Sequence, residues 1–85
     1  MKEGDNYYHI VSPLSGTFYR RLSPEEPSYV EEGDEIRWGQ VVCIVESMKI
    51  FNEVRAERVG TVHKILVNDE DPVLIGQPLI EIKVV

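Results

Sequence analysis

Val41-Val42-Cys43-Ile44-Val45-Glu46-Ser47-Met48-Lys49-Ile50-Phe51-Asn52-Glu53-Val54-Arg55-Ala56 is the stretch on which the reading of the chain turns. Its first five residues form an apolar, largely β-branched run, the pattern of a buried strand. A second strand-like run covers Ile50 to Arg55. Between them stand Glu46, Ser47, Met48 and Lys49, with no Gly, Asn, Asp or Pro. Tight hairpins favour Asn-Gly or Asp-Gly, because their central residues take positive φ. Met48 and Lys49 in the left-handed region would each cost roughly 1–2 kcal/mol. Strain accepted at a strand tip points to side chains displayed for use. The side chain there with chemistry is Lys49.

Outward from this hairpin, short strands alternate with turns. Strands are expected at Tyr7 to Val11, Gly16 to Arg20, Glu35 to Trp38, Thr61 to Val67, Val73 to Ile75 and Leu79 to Val84. Turns are expected at Ser12-Pro13, Glu32-Gly33-Asp34, Gly39-Gln40, Val59-Gly60, Asn68 to Pro72 and Gly76-Gln77-Pro78. Arg21 to Ser28 holds Pro24 and Pro27 beside Glu25 and Glu26, which makes it a loop. No window is free enough of Pro, Gly and β-branched residues to predict a helix. The fold class is therefore all-β, a sandwich or flattened barrel.

The chain also repeats itself. Gly16-Thr17-Phe18 and Gly60-Thr61-Val62 are 44 residues apart, while Ile36-Arg37-Trp38-Gly39-Gln40 and Val73-Leu74-Ile75-Gly76-Gln77 are 37 apart. Two halves of four strands, related by a pseudo-two-fold, would account for both matches. The seven-residue difference places an insertion in the first half, between Phe18 and Ile36, most naturally at Leu22 to Tyr29. Lys49 then lies on the link between the halves.

The 85 residues make one domain with a modest core. Residues 1–7 read as a loose end and 8–85 as the folded unit. Fifteen acids against nine bases give a net charge of −6, which argues against a nucleic acid or an anionic membrane as partner. The single cysteine, Cys43, excludes an internal disulfide. There is no apolar run of membrane-spanning length and no signal-peptide pattern. A cytoplasmic location is expected, with the chloroplast stroma as the alternative. His9, His63 and Cys43 lack metal-ligand spacing, and no nucleophile–base constellation stands out.

Glu46-Ser47-Met48-Lys49-Ile50 resembles the Glu-Ala-Met-Lys-Met signature of biotinyl domains. The likeness continues through Phe51 to Glu57 and through Ser12-Pro13-Leu14-Ser15-Gly16-Thr17-Phe18-Tyr19-Arg20. It covers about residues 8 to 83, with Ser47 in place of Ala and Ile50 in place of Met. The chain thus resembles the biotin carboxyl carrier proteins of acetyl-CoA carboxylase, within the biotinyl/lipoyl family. Related lipoyl domains usually carry Asp-Lys, so Met48 favours biotin over lipoate.

The resemblance implies a non-catalytic carrier with biotin covalently attached to Lys49. A biotin protein ligase would supply an activated biotinyl-adenylate, and Glu46, Ser47, Met48 and Ile50 would be read by that ligase. The biotin would shuttle carboxylate from biotin carboxylase to carboxyltransferase, giving malonyl-CoA for fatty acid biosynthesis. It also implies that the loop at about 21–29, with Ser23, Pro24, Glu25, Glu26, Pro27, Ser28 and Tyr29, is the protruding thumb of such carriers. Arg21-Leu22 stands where the family often has Thr-Pro.

Plainer readings stand beside these. Lys49 could be a solvated strand-end lysine, Met48 and Ile50 a cap on the core, and the loop an inert insertion, since doubling a loop costs only about 0.6 kcal/mol. The chain could also serve another biotin-dependent carboxylase or decarboxylase, or be an unmodified β-sandwich adaptor.

Overall fold

Short β-branched runs punctuated by glycine, proline and acidic turns fold into eight strands. The computed structural model describes residues 6–84, and among these there is no helix. The strands are β1 (Asn6–Val11), β2 (Gly16–Tyr19), β3 (Glu35–Ile36), β4 (Val41–Ser47), β5 (Ile50–Arg55), β6 (Gly60–Ile65), β7 (Pro72–Val73) and β8 (Pro78–Val84). They form two four-stranded antiparallel sheets, ordered β1-β8-β6-β3 and β5-β4-β2-β7. Strands expected at Glu35 to Trp38 and Thr61 to Val67 end sooner, at Ile36 and Ile65. β1 begins at Asn6, so residues 6 and 7, expected in the loose end, belong to a strand; the rest of that end lies outside the described residues.

The repeat is a pseudo-two-fold in three dimensions. Replacing β1–β4 by β5–β8 and the reverse turns one sheet order into the other, so each sheet draws strands from both halves. Hydrogen bonds come in mated pairs. Ser12 N donates to Gln77 O at 2.9 Å, and Ala56 N to Gln40 O at 2.8 Å. Phe18 N donates to Asp71 O at 2.9 Å, and Val62 N to Asp34 O at 2.8 Å. The Gly-Gln match has a chemical cause. Gly39 and Gly76 both sit at φ +83, where a side chain is strained. Gln40 Oε1 accepts from Arg37 N at 3.0 Å, and Gln77 Oε1 from Leu74 N at 2.9 Å, which closes the same turn twice.

Gly60, read from sequence as a turn residue, instead opens β6; a Cβ there would lie 2.6 Å from the carbonyl oxygen of Lys83. Its mate Gly16 is held against the carbonyl of Glu46 in the same way. Backbone proximity, not turn conformation, demands glycine at both.

The core lies between the sheets. Val42, Cys43 and Val45 of β4 face it together with Leu79, Ile80 and Ile82 of β8, their mates 37 residues on. Two consecutive residues can point inward because each strand slips register there, between Val41 and Cys43 on β4 and between Pro78 and Ile80 on β8, opposite Val11 and Ile10. Phe18, Ile36, Val62 and Val73 join the layer, with Ile10, Val30, Val54 and Ala56 around them. Each such buried aliphatic side chain contributes about 2 kcal/mol.

The pseudo-two-fold also relates the hairpin tip to the chain ends. Ser47 pairs with Ile50, and their mates Val84 and Asn6 pair with each other. β1 and β5 run past one another, with the Arg58 guanidinium 5.2 Å from the centre of the Tyr8 ring, so the two pairs lie at opposite ends.

Candidate functional site: the Met48-Lys49 hairpin

β4 and β5 are joined by a two-residue turn. Met48 has φ 54 and Lys49 has φ 66. Both are left-handed, the pair of conformations the hairpin twist requires and that only Gly, Asn or Asp adopt cheaply. Across strands β2, β4 and β5, Phe18, Val45 and Asn52 share the inner face, so Glu46 and Phe51 lie on the outer one.

The strained turn is held from both faces. On the outer side, Glu46 Oε2 accepts a hydrogen bond from the Lys49 backbone N at 2.7 Å. On the inner side, Asn52 Nδ2 donates to Val45 O and to Ile50 O, each at 3.2 Å. The Glu46 carboxylate is therefore committed to the backbone. Among the described residues the Lys49 ammonium has no ion pair, and its side chain is exposed. A primary amine stands free at the corner of the domain, able to be acylated by an activated partner.

Its surroundings are apolar. Met48 is 89% exposed and Ile50 63%, which removes the reading of these two as a cap on the core. Phe51, also exposed, lies 6.0 Å ring to ring from Tyr19. Ser47, at the end of β4, is half-buried.

The loop between β2 and β3 is closed at its neck by Tyr29 N donating to Arg20 O at 2.9 Å. Within it, Glu26 N donates to Ser23 O at 3.0 Å, a turn with Pro24 at the position that favours proline. Pro24, Glu25, Glu26 and Pro27 are exposed, whereas Ser23, Ser28 and Tyr29 are half-buried. The loop's root covers the outer face of the β4–β5 sheet. Tyr19, Ile44 and Glu53 are in register there, and Ile44 is only 2% exposed although it is outside the core cluster. Burial raises the Tyr29 hydroxyl pKa, and the carboxylates of Glu53 and Glu26 add to the rise, so Tyr29 sits beside this row. No hydrogen bond or ion pair among the described residues joins Ser23–Ser28 to Glu46–Ile50.

The other noted residues lie elsewhere. His9 and His63 flank Glu81 on the outer face of the opposite sheet, at 3.3 and 3.9 Å. Cys43 is buried in the core, where desolvation pushes its thiol up to about 12. Sequence reasoning overlooked Asn52 and the Tyr19–Phe51 contact. The one available signal was a lone Asn just past the tip of an otherwise β-favouring strand.

The chain matches the family model described as biotin-requiring enzyme over residues 8–82. It is 51% identical over 74 residues to the biotin carboxyl carrier protein of acetyl-CoA carboxylase of Nostoc sp., covering 87% of this chain and 41% of that protein. It is 48% identical over 70 residues to the chloroplastic biotin carboxyl carrier protein of acetyl-CoA carboxylase 2 of Arabidopsis thaliana, covering 82% and 28%. The chain thus spans less than half the length of these relatives. Among solved structures, the urea carboxylase of Kluyveromyces lactis contains a region that superposes with a TM-score of 0.75 at 28% identity, covering 96% of this chain and 7% of that one. With the match running through both sheets and across the Met48-Lys49 turn, the chain belongs to the biotin/lipoyl family of biotin-requiring enzymes.

Proposed function

We propose that this chain is the biotin-bearing domain of a biotin carboxyl carrier protein of acetyl-CoA carboxylase, with biotin amide-linked to Nζ of Lys49. The observation that carries the reading is the free, exposed amine on a strained two-residue turn, ringed by Met48, Ile50 and Phe51. The relatives' names support the choice of enzyme.

The residues fit an amide-linked group. Among the described residues Lys49 forms no ion pair, and Glu46 Oε2 is bound to the backbone. In the attachment step the neutral amine attacks the carbonyl of a biotinyl-adenylate held by a biotin protein ligase. The C–N bond forms, the acyl–phosphate bond breaks, AMP leaves, and the amine's proton goes to a base of the ligase. No group among the described residues is placed to activate the lysine; the domain's part is to present it. Glu46, Ser47, Met48 and Ile50 form the surface the ligase reads.

When bound, biotin supplies a ureido nitrogen that takes up and releases carboxylate. The domain then serves as a non-catalytic carrier between biotin carboxylase and carboxyltransferase, for the synthesis of malonyl-CoA. Tethering raises the local concentration of the group at each active site. Docking must stay weak enough to allow exchange between them. The loop at 21–29 is the thumb, rooted on the outer face beside the hairpin. The compartment is a bacterial cytoplasm or a chloroplast stroma, in keeping with relatives from both kinds of source.

Intact mass after incubation with ligase, ATP and biotin tests the reading. Wild type gains one biotinyl increment and Lys49→Arg gains none. Label on Lys49→Arg, or none on wild type, overturns it. Malonyl-CoA formation with the two acetyl-CoA carboxylase partners then separates this carrier from those of other carboxylases.

A further inference from the structure

We infer that Asn52 is a positioning residue for the acylation of Lys49, acting through the turn and not through contact with the ligase. The inference rests on the reading of Lys49 as the biotin site.

Asn52 is half-buried on the inner face, paired in register with Val45 and three residues beyond the lysine. Its Nδ2 reaches one carbonyl on each strand, Val45 O on β4 and Ile50 O on β5. The fork therefore ties the two strands together directly beneath the turn. Glu46 holds the opposite, outer side through the Lys49 backbone N. Met48 and Lys49 have no intrinsic preference for the left-handed conformation. Without an anchor the turn would open or slip register, and the amine would sample many directions. A ligase that recognises one presentation then sees only the competent fraction, and its apparent affinity falls by that fraction. Chemistry on the amine, once docked, is unchanged. The signature is a raised KM with kcat preserved.

Asn52 has a mate that sharpens the case. The residue 44 earlier is Tyr8, at the end of the molecule where no turn links the strands. There the side chain packs under Arg58 instead. At the mated position a phenol stands in place of the amide, its hydroxyl directed at Arg58 O at 3.5 Å.

Asn52→Asp keeps the shape but, ionised, has no proton to donate; Asn52→Leu keeps the size and removes all polarity. With ligase, ATP and biotin, both variants are expected to raise KM for the domain about five- to tenfold with kcat within twofold of wild type. Hydrogen exchange at the Lys49 amide is expected to quicken in both while the global unfolding midpoint shifts little. In wild type the Asn52 side-chain amide protons are expected to exchange slowly, a readout that needs no variant. Unchanged KM, a loss confined to kcat, a raised KM with unaltered Lys49 exchange, or free-amide exchange at wild-type Asn52 each overturns the inference. Failure of the underlying reading is distinct: wild type itself would then take up no biotin.

Discussion

Ile44 and Glu81 occupy the same place in the two halves of the fold, 37 residues apart, each on the outer face of an inner strand of its sheet, β4 and β8. Around Ile44 stand Tyr19 and Glu53; around Glu81 stand their mates, His63 and His9. One outer face is thus polar and open, while the other holds an aliphatic side chain shut away at 2% exposure. The insertion between Arg20 and Tyr29 belongs to the first half alone, and Tyr29 at its root lies near Glu53, the register neighbour of Ile44.

Ile44→Glu should therefore be costly despite the glutamate at the mated site. The unpaired buried carboxylate is expected to destabilise the domain by about 3 kcal/mol in urea unfolding. In a chain shortened by seven residues between Arg20 and Tyr29, the same substitution should cost less than about 1 kcal/mol. An equal cost in both chains would show that something other than the loop covers Ile44.

Replacing Met48-Lys49 by Asn-Gly should stabilise the domain. Both positions are left-handed, at φ 54 and 66. Relief of roughly 1–2 kcal/mol at each of the two residues, less glycine's entropic penalty of about 0.5–1 kcal/mol, leaves a net gain of about 1–3 kcal/mol. The thermal midpoint should rise as biotin uptake vanishes. A fall in midpoint would mean that the natural side chains stabilise the tip in some further way.

Glu70 has φ 71, and its mate Gly33 has φ 96. The two turns are otherwise alike, with Asp34 Oδ2 accepting from Glu31 N and Asp71 Oδ2 accepting from Asn68 N, both at 2.9 Å. Glu70→Gly should gain up to about 1 kcal/mol, and Gly33→Ala should lose about 1–2 kcal/mol. Gly33 has open space where a Cβ would go, so the loss would be purely conformational. Opposite signs in denaturant midpoints would confirm the shared turn.

Alkaline pH should weaken the fold through Cys43. Burial raises its thiol from 9.0 to about 12. Between those values the native state keeps a proton that the unfolded chain has lost. Stability is then full below about pH 9 and falls as pH rises towards about 12. Tyr8 and Tyr29, both raised first by burial, add the same sign above about pH 10. Cys43→Ala should flatten the decline between pH 9 and 10 in urea titrations; an unaltered slope would assign it to other groups.

Much of this fold was legible in the residues. Alternation and turn chemistry located the strands, and the Gly-Gln match exposed the two halves because the glutamine side chain closes each turn. The left-handed tip could be read because β-branched runs left no other place to reverse. Val42 to Val45 read correctly as buried, whereas Val41 is only half-buried, and the register slip that turns both Val42 and Cys43 inward has no signature in periodicity. Gly60 was misread because a close backbone approach leaves no local pattern. Asn52 left only the faint mark of an Asn in a β-favouring strand, because a side-chain bond to two carbonyls has no period. Glu70 was within reach, since the 37-residue offset sets it on Gly33.

The pairing of Asn6 with Val84, mirrored by that of Ile50 with Ser47, has a mechanical meaning. Any polypeptide joined before Asn6 or after Val84 grips this body by its heel, with the amine at the toe. A small swivel at the joint becomes a wide arc at Lys49, multiplied by a rigid lever whose greatest dimension is 43 Å.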